Sequence, residues 1–382
     1  MKSSHLFTFA AGAALLVFAG PPATARPLPK TPGATLIVPY FEVDLDEADG
    51  RSTLVTVGNA GEPVVARATL WSDHGYPVYA WDLYLGENAL ATYNLRDIVA
   101  YGTVAPTRAP AGFGGCGDPV ATPAIAPGEL AILQKQLTGQ DLGGNLCASV
   151  PRADGSLATG SLTIDAVTRC GSSRYPNDGG YFTGSHLVAS PRQVLWGDFT
   201  LVDPAENFAQ GFEAPALGIV ANGLEAKFGG WAADPAVARQ ALNDDFDCSR
   251  QRYLQGGPFA AETSFFVYTP PPQIAELQRC DVSASPGGGR TWVFSIKDEE
   301  GGDVSFGLLD HSYRTSGRVE ADTDLALASG SGYVSLVTYY DSHFPGVPLP
   351  VEPFQHLLFG SIQASGRFAV GVAGNAMGFD CQ

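Results

Sequence analysis

The chain lacks the short motifs that announce common enzymes. No serine has glycine at both flanking offsets of G-x-S-x-G, so the strained nucleophile turn of an α/β-hydrolase is missing. HExxH and the Walker A loop are absent, and no G-x-G-x-x-G sits between a strand and a helix. No C-x-x-C pair occurs, which argues against a zinc ribbon or a thioredoxin-like centre. Charge is scarce and one-sided: charged residues are 16% of the chain, with 22 Lys and Arg against 39 Asp and Glu. Such an acidic chain repels phosphate backbones and anionic lipid, which argues against nucleic acid as a partner. After the first residues no apolar run approaches 18, so no transmembrane segment is expected in the mature chain.

The N-terminus carries the strongest positive signal. Met1-Lys2 is a short basic n-region, Leu6 to Ala19 is an almost uncharged apolar run, and Ala23 and Ala25 fit an A-x-A cleavage site. This layout predicts a signal peptide, residues 1–25, cleaved after Ala25 to leave Arg26 first. The run is shorter than the roughly 20 residues that a spanning helix needs. Removing Lys2 and no acid takes the net charge from −17 to −18. The expected location is therefore secreted or periplasmic, between which the sequence does not choose.

In an oxidising compartment six cysteines form a disulfide framework: Cys116, Cys147, Cys170, Cys248, Cys280 and Cys381. Fifteen connectivities are possible. Cys116–Cys147 is the first expectation, because both residues lie in glycine-rich loops, and Cys248–Cys280 is the second, closing a loop of similar length.

With 46 Gly, 28 Pro and 45% hydrophobic residues, the chain is turn-rich yet too apolar for disorder. Short β-type segments recur at Ala34 to Phe41, Ser52 to Val57, Val64 to Trp71 and Val78 to Leu85, separated by turn residues. Tyr79, Trp81, Leu83 and Leu85 alternate with Ala80, Asp82 and Tyr84, which puts one apolar face inward at a period of two. Further strands are expected at Glu129 to Leu133 and Ser161 to Thr168, then a pair at Gln193 to Val202 and Ala216 to Asn222. Asn94 to Ile98 reads as one helical turn. Asp234-Pro235 before Ala236 to Leu242 predicts a helix, with Asp as N-cap and Pro at the first position. The β signature resumes at Thr263 to Thr269, Arg290 to Lys297, Tyr333 to Tyr340, His356 to Gln363 and Arg367 to Ala373. An internal echo links Leu195 to Asn222 with Leu358 to Asn375.

The fold class predicted is mainly β: two β-sandwich-like halves, immunoglobulin- or jelly-roll-like, with a few short helices. The domains would be residues 26–225, a helical connection over 226–260, and a β-rich domain over 261–382.

Candidate sites are few. Asp44, Asp46 and Asp49 form an oxygen-rich turn of the kind calcium favours, although Ala48 breaks the EF-hand pattern and a solvated acidic turn is the plainer reading. Calcium is the one cofactor considered. Tyr76 and Tyr84 could stack a sugar ring, while Tyr79 and Trp81 lie on the core face. The five mature histidines are scattered singly. Paired carboxylates for glycoside hydrolysis cannot be chosen among 39 acids.

Val38-Pro39-Tyr40-Phe41, Thr53 to Asn59, Trp81 to Leu85, and Val194 to Phe199 with Ala209-Gln210-Gly211 resemble a family of secreted, β-rich bacterial proteins with no known activity. The resemblance implies export and β architecture, and transfers no site residue. The leading functional expectation is a non-enzymatic binding or surface-associated protein with a glycan or protein partner. The alternatives are a secreted carboxylate-dependent hydrolase of polysaccharide or peptide, and a structural or adhesive envelope protein.

Overall fold

Extended, β-branched segments dominate the chain, and among the described residues they pair into four antiparallel sheets and a short ladder. The structure, a computed structural model, describes residues 32–120, 124–152, 155–178, 180–181, 188–217, 249–258, 260–269, 277–280, 290–299, 303–311, 314–327, 330–340, 357–364 and 368–372. Residues 31–382 make one compact unit. Residues 1–30, with the expected leader, lie outside the described residues.

The first sheet runs β10 (Ala216–Leu217), β1 (Thr35–Asp44), β7 (Leu157–Val167), β3 (Val64–Ser72) and β4 (Pro77–Leu85). The second runs β5 (Leu90–Asn94), β2 (Ser52–Asn59), β8 (Leu195–Asp203) and β9 (Phe208–Glu213). The third runs β11 (Ser249–Gln255), β17 (Gly330–Tyr340), β14 (Arg290–Asp298) and β15 (Asp303–His311). The fourth runs β16 (Ser316–Glu320), β12 (Ala261–Tyr268), β18 (Leu357–Ala364) and β19 (Phe368–Val372). The short ladder joins β6 (Leu146–Cys147) to β13 (Gln278–Arg279). The class is mainly β, sandwich-like, with few helices, as the strand periodicity predicts.

The fourth sheet explains why the two halves make one unit. In β12 the run Phe265-Phe266-Val267-Tyr268 is apolar without alternation, the mark of a strand covered on both faces. Phe265 and Val267 face a core with Trp292, Phe294 and Leu336. Phe266 and Tyr268 face the core of the first two sheets. There Phe266 stacks on Tyr40, with centroids 5.0 Å apart, and meets Phe212 edge-on at 5.9 Å. Tyr40 reaches it through a bulge in β1: Pro39 and Tyr40 together oppose Ser161, between the pairs Val38–Leu162 and Phe41–Gly160. Pro39 has no N–H to give a ladder, so a bulge accommodates it.

A polar link lies beside these rings. Glu42, buried, accepts from the Tyr40 hydroxyl at 3.1 Å and meets the Arg318 guanidinium at 3.4 Å. Arg318 also pairs with Glu320 and donates to Ser264 Oγ at 3.0 Å.

Three expectations change, and one holds. Glu129 to Leu133 is not a strand but part of α2 (Pro127–Thr138), which has Pro at its first position and Gly139 in the left-handed conformation, φ 72°, closing it. The helical turn at Asn94 is real: α1 (Leu95–Val99) has Asn94 as N-cap, accepting from the Arg96 N–H. Among the described residues, the expected pair of segments 193–202 and 216–222 is not seen: β8 lies between β2 and β9, while Ala216–Leu217 joins β1. Within 226–260, Ser249–Gln255 is strand β11, whereas the expected helix over 236–242 and residues 218–222 lie outside the described residues.

The cysteines also pair differently. Cys116 is bonded to Cys170 and Cys147 to Cys280, which overturns both Cys116–Cys147 and Cys248–Cys280. Proximity in sequence guides poorly here because loop-closure entropy grows only slowly with length. Strand pairing selects instead: β6 and β13 bring Cys147 and Cys280 together across 133 residues. The N–H of Cys170 donates to Gly114 O beside Cys116. Cys248 and Cys381 lie outside the described residues.

Candidate functional site

Of the two tyrosines singled out for stacking, Tyr84 lines a groove and Tyr76 does not. On β4, Trp81, Leu83 and Leu85 point into the core, which turns Tyr84 to the opposite face, where it is half-buried. Trp81 meets Tyr93 of β5 edge-on at 5.6 Å, fixing β5 against β4 where the two sheets meet. The loop over 105–108 closes the third side. Thr107 Oγ1 accepts from the Tyr84 N–H at 2.7 Å, and Thr107 pairs with Val120. The Tyr84 ring stands edge-on to Phe113 at 5.1 Å, and the nearby Cys116–Cys170 bond anchors this loop. The resulting open groove holds about 330 Å³, within the usual 300–1,000 Å³ range of ligand sites. Tyr84, Leu90, Thr92, Pro106, Thr107 and Arg108 contribute its main side chains, with Leu90 59% exposed. β5 is the edge of its sheet and pairs only with β2 among the described residues. Tyr76 precedes the other end of β4. Eight residue steps separate it from Tyr84, roughly 26 Å at 3.3 Å per step, too far to share one ligand ring.

The acidic turn is organised internally. Asp44 Oδ1 accepts from the N–H groups of Asp46 at 3.0 Å and Glu47 at 3.2 Å. Asp46 and Asp49 are exposed. Arg96, from α1, donates to the carbonyls of Glu47 and of Arg51, the latter at 2.8 Å. Among the described residues no three His, Cys, Asp or Glu side chains are grouped to hold a metal ion.

A third feature lies beyond the sequence expectations. Ser161, Thr163 and Asp165 share one face of β7, and the register sets Asp165 between Thr35 of β1 and Arg67 of β3. Thr35 Oγ1 donates to Asp165 Oδ1 at 2.6 Å, and the Tyr181 hydroxyl donates to Oδ2 at 3.1 Å. Arg67 is drawn aside to Asp82 Oδ1 at 2.8 Å, whose Oδ2 accepts from the Gly171 N–H. Burial raises the Asp165 carboxyl to about 6, against the lowering pull of its two hydrogen bonds and Arg67. Burial and the neighbouring Asp165 charge hold the Tyr181 hydroxyl well above its ordinary value. A carboxyl of raised pKa is a frequent mark of function. This one is 0% exposed, so it can take up a proton but not meet a substrate without movement. Polar residues at a period of two in β7 were the available signal.

No protein-family model matches the chain, and no curated protein matches it. Among solved structures, a Bacteroides uniformis beta-glucuronidase aligns at 8% identity with a TM-score of 0.18, over 86% of this chain and 28% of that one. A likeness at that score carries no argument about fold or activity.

Proposed function

We propose that this is an exported, non-enzymatic binding protein that holds a glycan segment in the groove between β4 and β5. The observation that carries the reading is Tyr84, half-buried on the face of β4 opposite its core residues and lining the groove beside Thr107, Thr92 and Arg108. Aromatic faces with a few convergent polar groups are the usual make-up of small-ligand sites. Tyrosine, threonine, proline, small aliphatics and arginine suit holding a sugar rather than cleaving it. Export rests on the sequence of residues 1–25, with the two disulfides in keeping with an oxidising compartment. No helix among the described residues is long and apolar enough to cross a membrane.

A glycan array probed with the purified exported protein, in calcium and then in EDTA, tests this reading. Saturable binding to particular glycans supports it, and loss in EDTA alone would bring the Asp44–Asp49 turn into the site. Silence in both conditions removes recognition of the displayed glycans. The open edge of β5 then favours the adhesive alternative, in which a strand of another chain adds to the sheet.

A further inference from the structure

Away from the groove, the turn between β3 and β4 carries Asp73 and His74 into the junction of the two halves. Both are buried, at 1% and 3% exposure. Asp73 is held on three sides: its Oδ1 accepts from the Val150 N–H at 3.0 Å, its carbonyl from the Thr315 N–H at 2.6 Å, and its N–H reaches Ser149 Oγ at 3.4 Å. The remaining oxygen, Oδ2, lies 3.6 Å from the Arg152 guanidinium. Arg314 precedes Thr315 and so enters the same junction. Its Nε has no partner, and none of the ion pairs among the described residues involves it. His74 is likewise unsatisfied: neither ring nitrogen completes a hydrogen bond, although the Cys147 backbone lies beside the ring.

The Asp73 carboxylate thus attracts both guanidinium groups: its Oδ2, without a hydrogen bond, lies 3.6 Å from Arg152, and Arg314 makes no ion pair among the described residues. Arg314 is largely buried, and burial, followed by repulsion from Arg152, lowers its pKa, outweighing the attraction of Asp73, Tyr40 and Asp324. A buried charge without a partner is strongly destabilising, and a buried polar nitrogen without a hydrogen bond adds to the cost. An oxyanion would relieve both, since the planar fork of arginine matches carboxylate and phosphate oxygens.

We propose that the Arg152–Arg314–His74 junction binds a small oxyanion, a carboxylate or phosphate group, between the two guanidinium groups and in hydrogen-bonding reach of the imidazole. Arg152, 22% exposed in its side chain, marks the route of entry. Through Asp73–Thr315 and the Cys147–Cys280 bond the site lies where the first half meets the second, so occupancy would stabilise that junction.

The test is calorimetric titration of the full-length exported protein with sodium acetate and, separately, inorganic phosphate, at constant ionic strength against sodium chloride. One-to-one saturable binding of either is expected, and the two arms distinguish a carboxylate from a phosphate ligand. Arg314→Gln and Arg152→Gln should each weaken it by roughly thirtyfold or more. Should one variant lack the native circular dichroism spectrum, the other decides. In the unmodified protein, binding should shift the His74 imidazole NMR signals. Absence of saturable binding, survival of binding in a folded variant, or His74 signals that stay fixed on saturation would each overturn the proposal.

Discussion

Asp165→Asn gives the sharpest test of the buried carboxyl on β7. The folded-state pKa is about 6 against an ordinary 3.8. Between those values the folded protein keeps a proton that the unfolded chain has released. Stability contributed by this group is therefore present in acid and is lost as pH rises through about 6. A shift of roughly two units at 1.36 kcal/mol each corresponds to about 3 kcal/mol. The amide of the variant would carry no charge at any pH and would keep an oxygen for the Thr35 hydroxyl. Urea unfolding of both proteins from pH 4 to pH 8 gives the difference at each pH, in which the other carboxylates cancel. The difference should move in favour of the variant by about 2 kcal/mol from pH 4 to pH 7, most of it between 4 and 6. A flat difference, or one of opposite slope, would refute the reasoning.

Other outcomes follow from the packing. Arg318→Met should cost about 1.5–3 kcal/mol in urea unfolding, since buried Glu42 would keep only the Tyr40 hydroxyl and the more distant Arg51 at 3.9 Å, and adding Glu42→Gln should recover part of it. Gly160→Ala should be strongly destabilising, since its Cβ would sit 1.9 Å from the Trp71 carbonyl; a melting temperature unchanged from the parent would contradict that packing. Peptide mapping without reduction should recover Cys116 with Cys170 and Cys147 with Cys280. Replacing both Cys147 and Cys280 by Ser should lower stability by roughly 5 kcal/mol on loop entropy alone. N-terminal sequencing of the exported protein should begin at Arg26.

The strands are largely legible in the sequence because a half-buried strand must alternate, as Trp81, Leu83 and Leu85 do. The helix α2 reads as a strand from its apolar centre, although Pro127 and Gly139 mark its ends. The unbroken apolar run in β12 does signal that this strand is covered twice, which alternation alone does not expose. Cysteine pairing is not legible, because Cys147 and Cys280 meet only through the β6–β13 ladder. The Asp165 cluster depends on the register of β1, β3 and β7, which no local pattern specifies. Tyr76 and Tyr84 are equivalent as sequence neighbours, yet an extended strand holds them apart.

The groove itself is tested most directly by titrating the best-binding glycan from the array into three proteins: the parent, Tyr84→Ala and Tyr76→Ala. Loss of the Tyr84 ring should weaken binding about tenfold or more, equivalent to about 1.4 kcal/mol, while the Tyr76 variant should bind like the parent. Equal binding by the parent and the Tyr84 variant, or a loss confined to the Tyr76 variant, would contradict it.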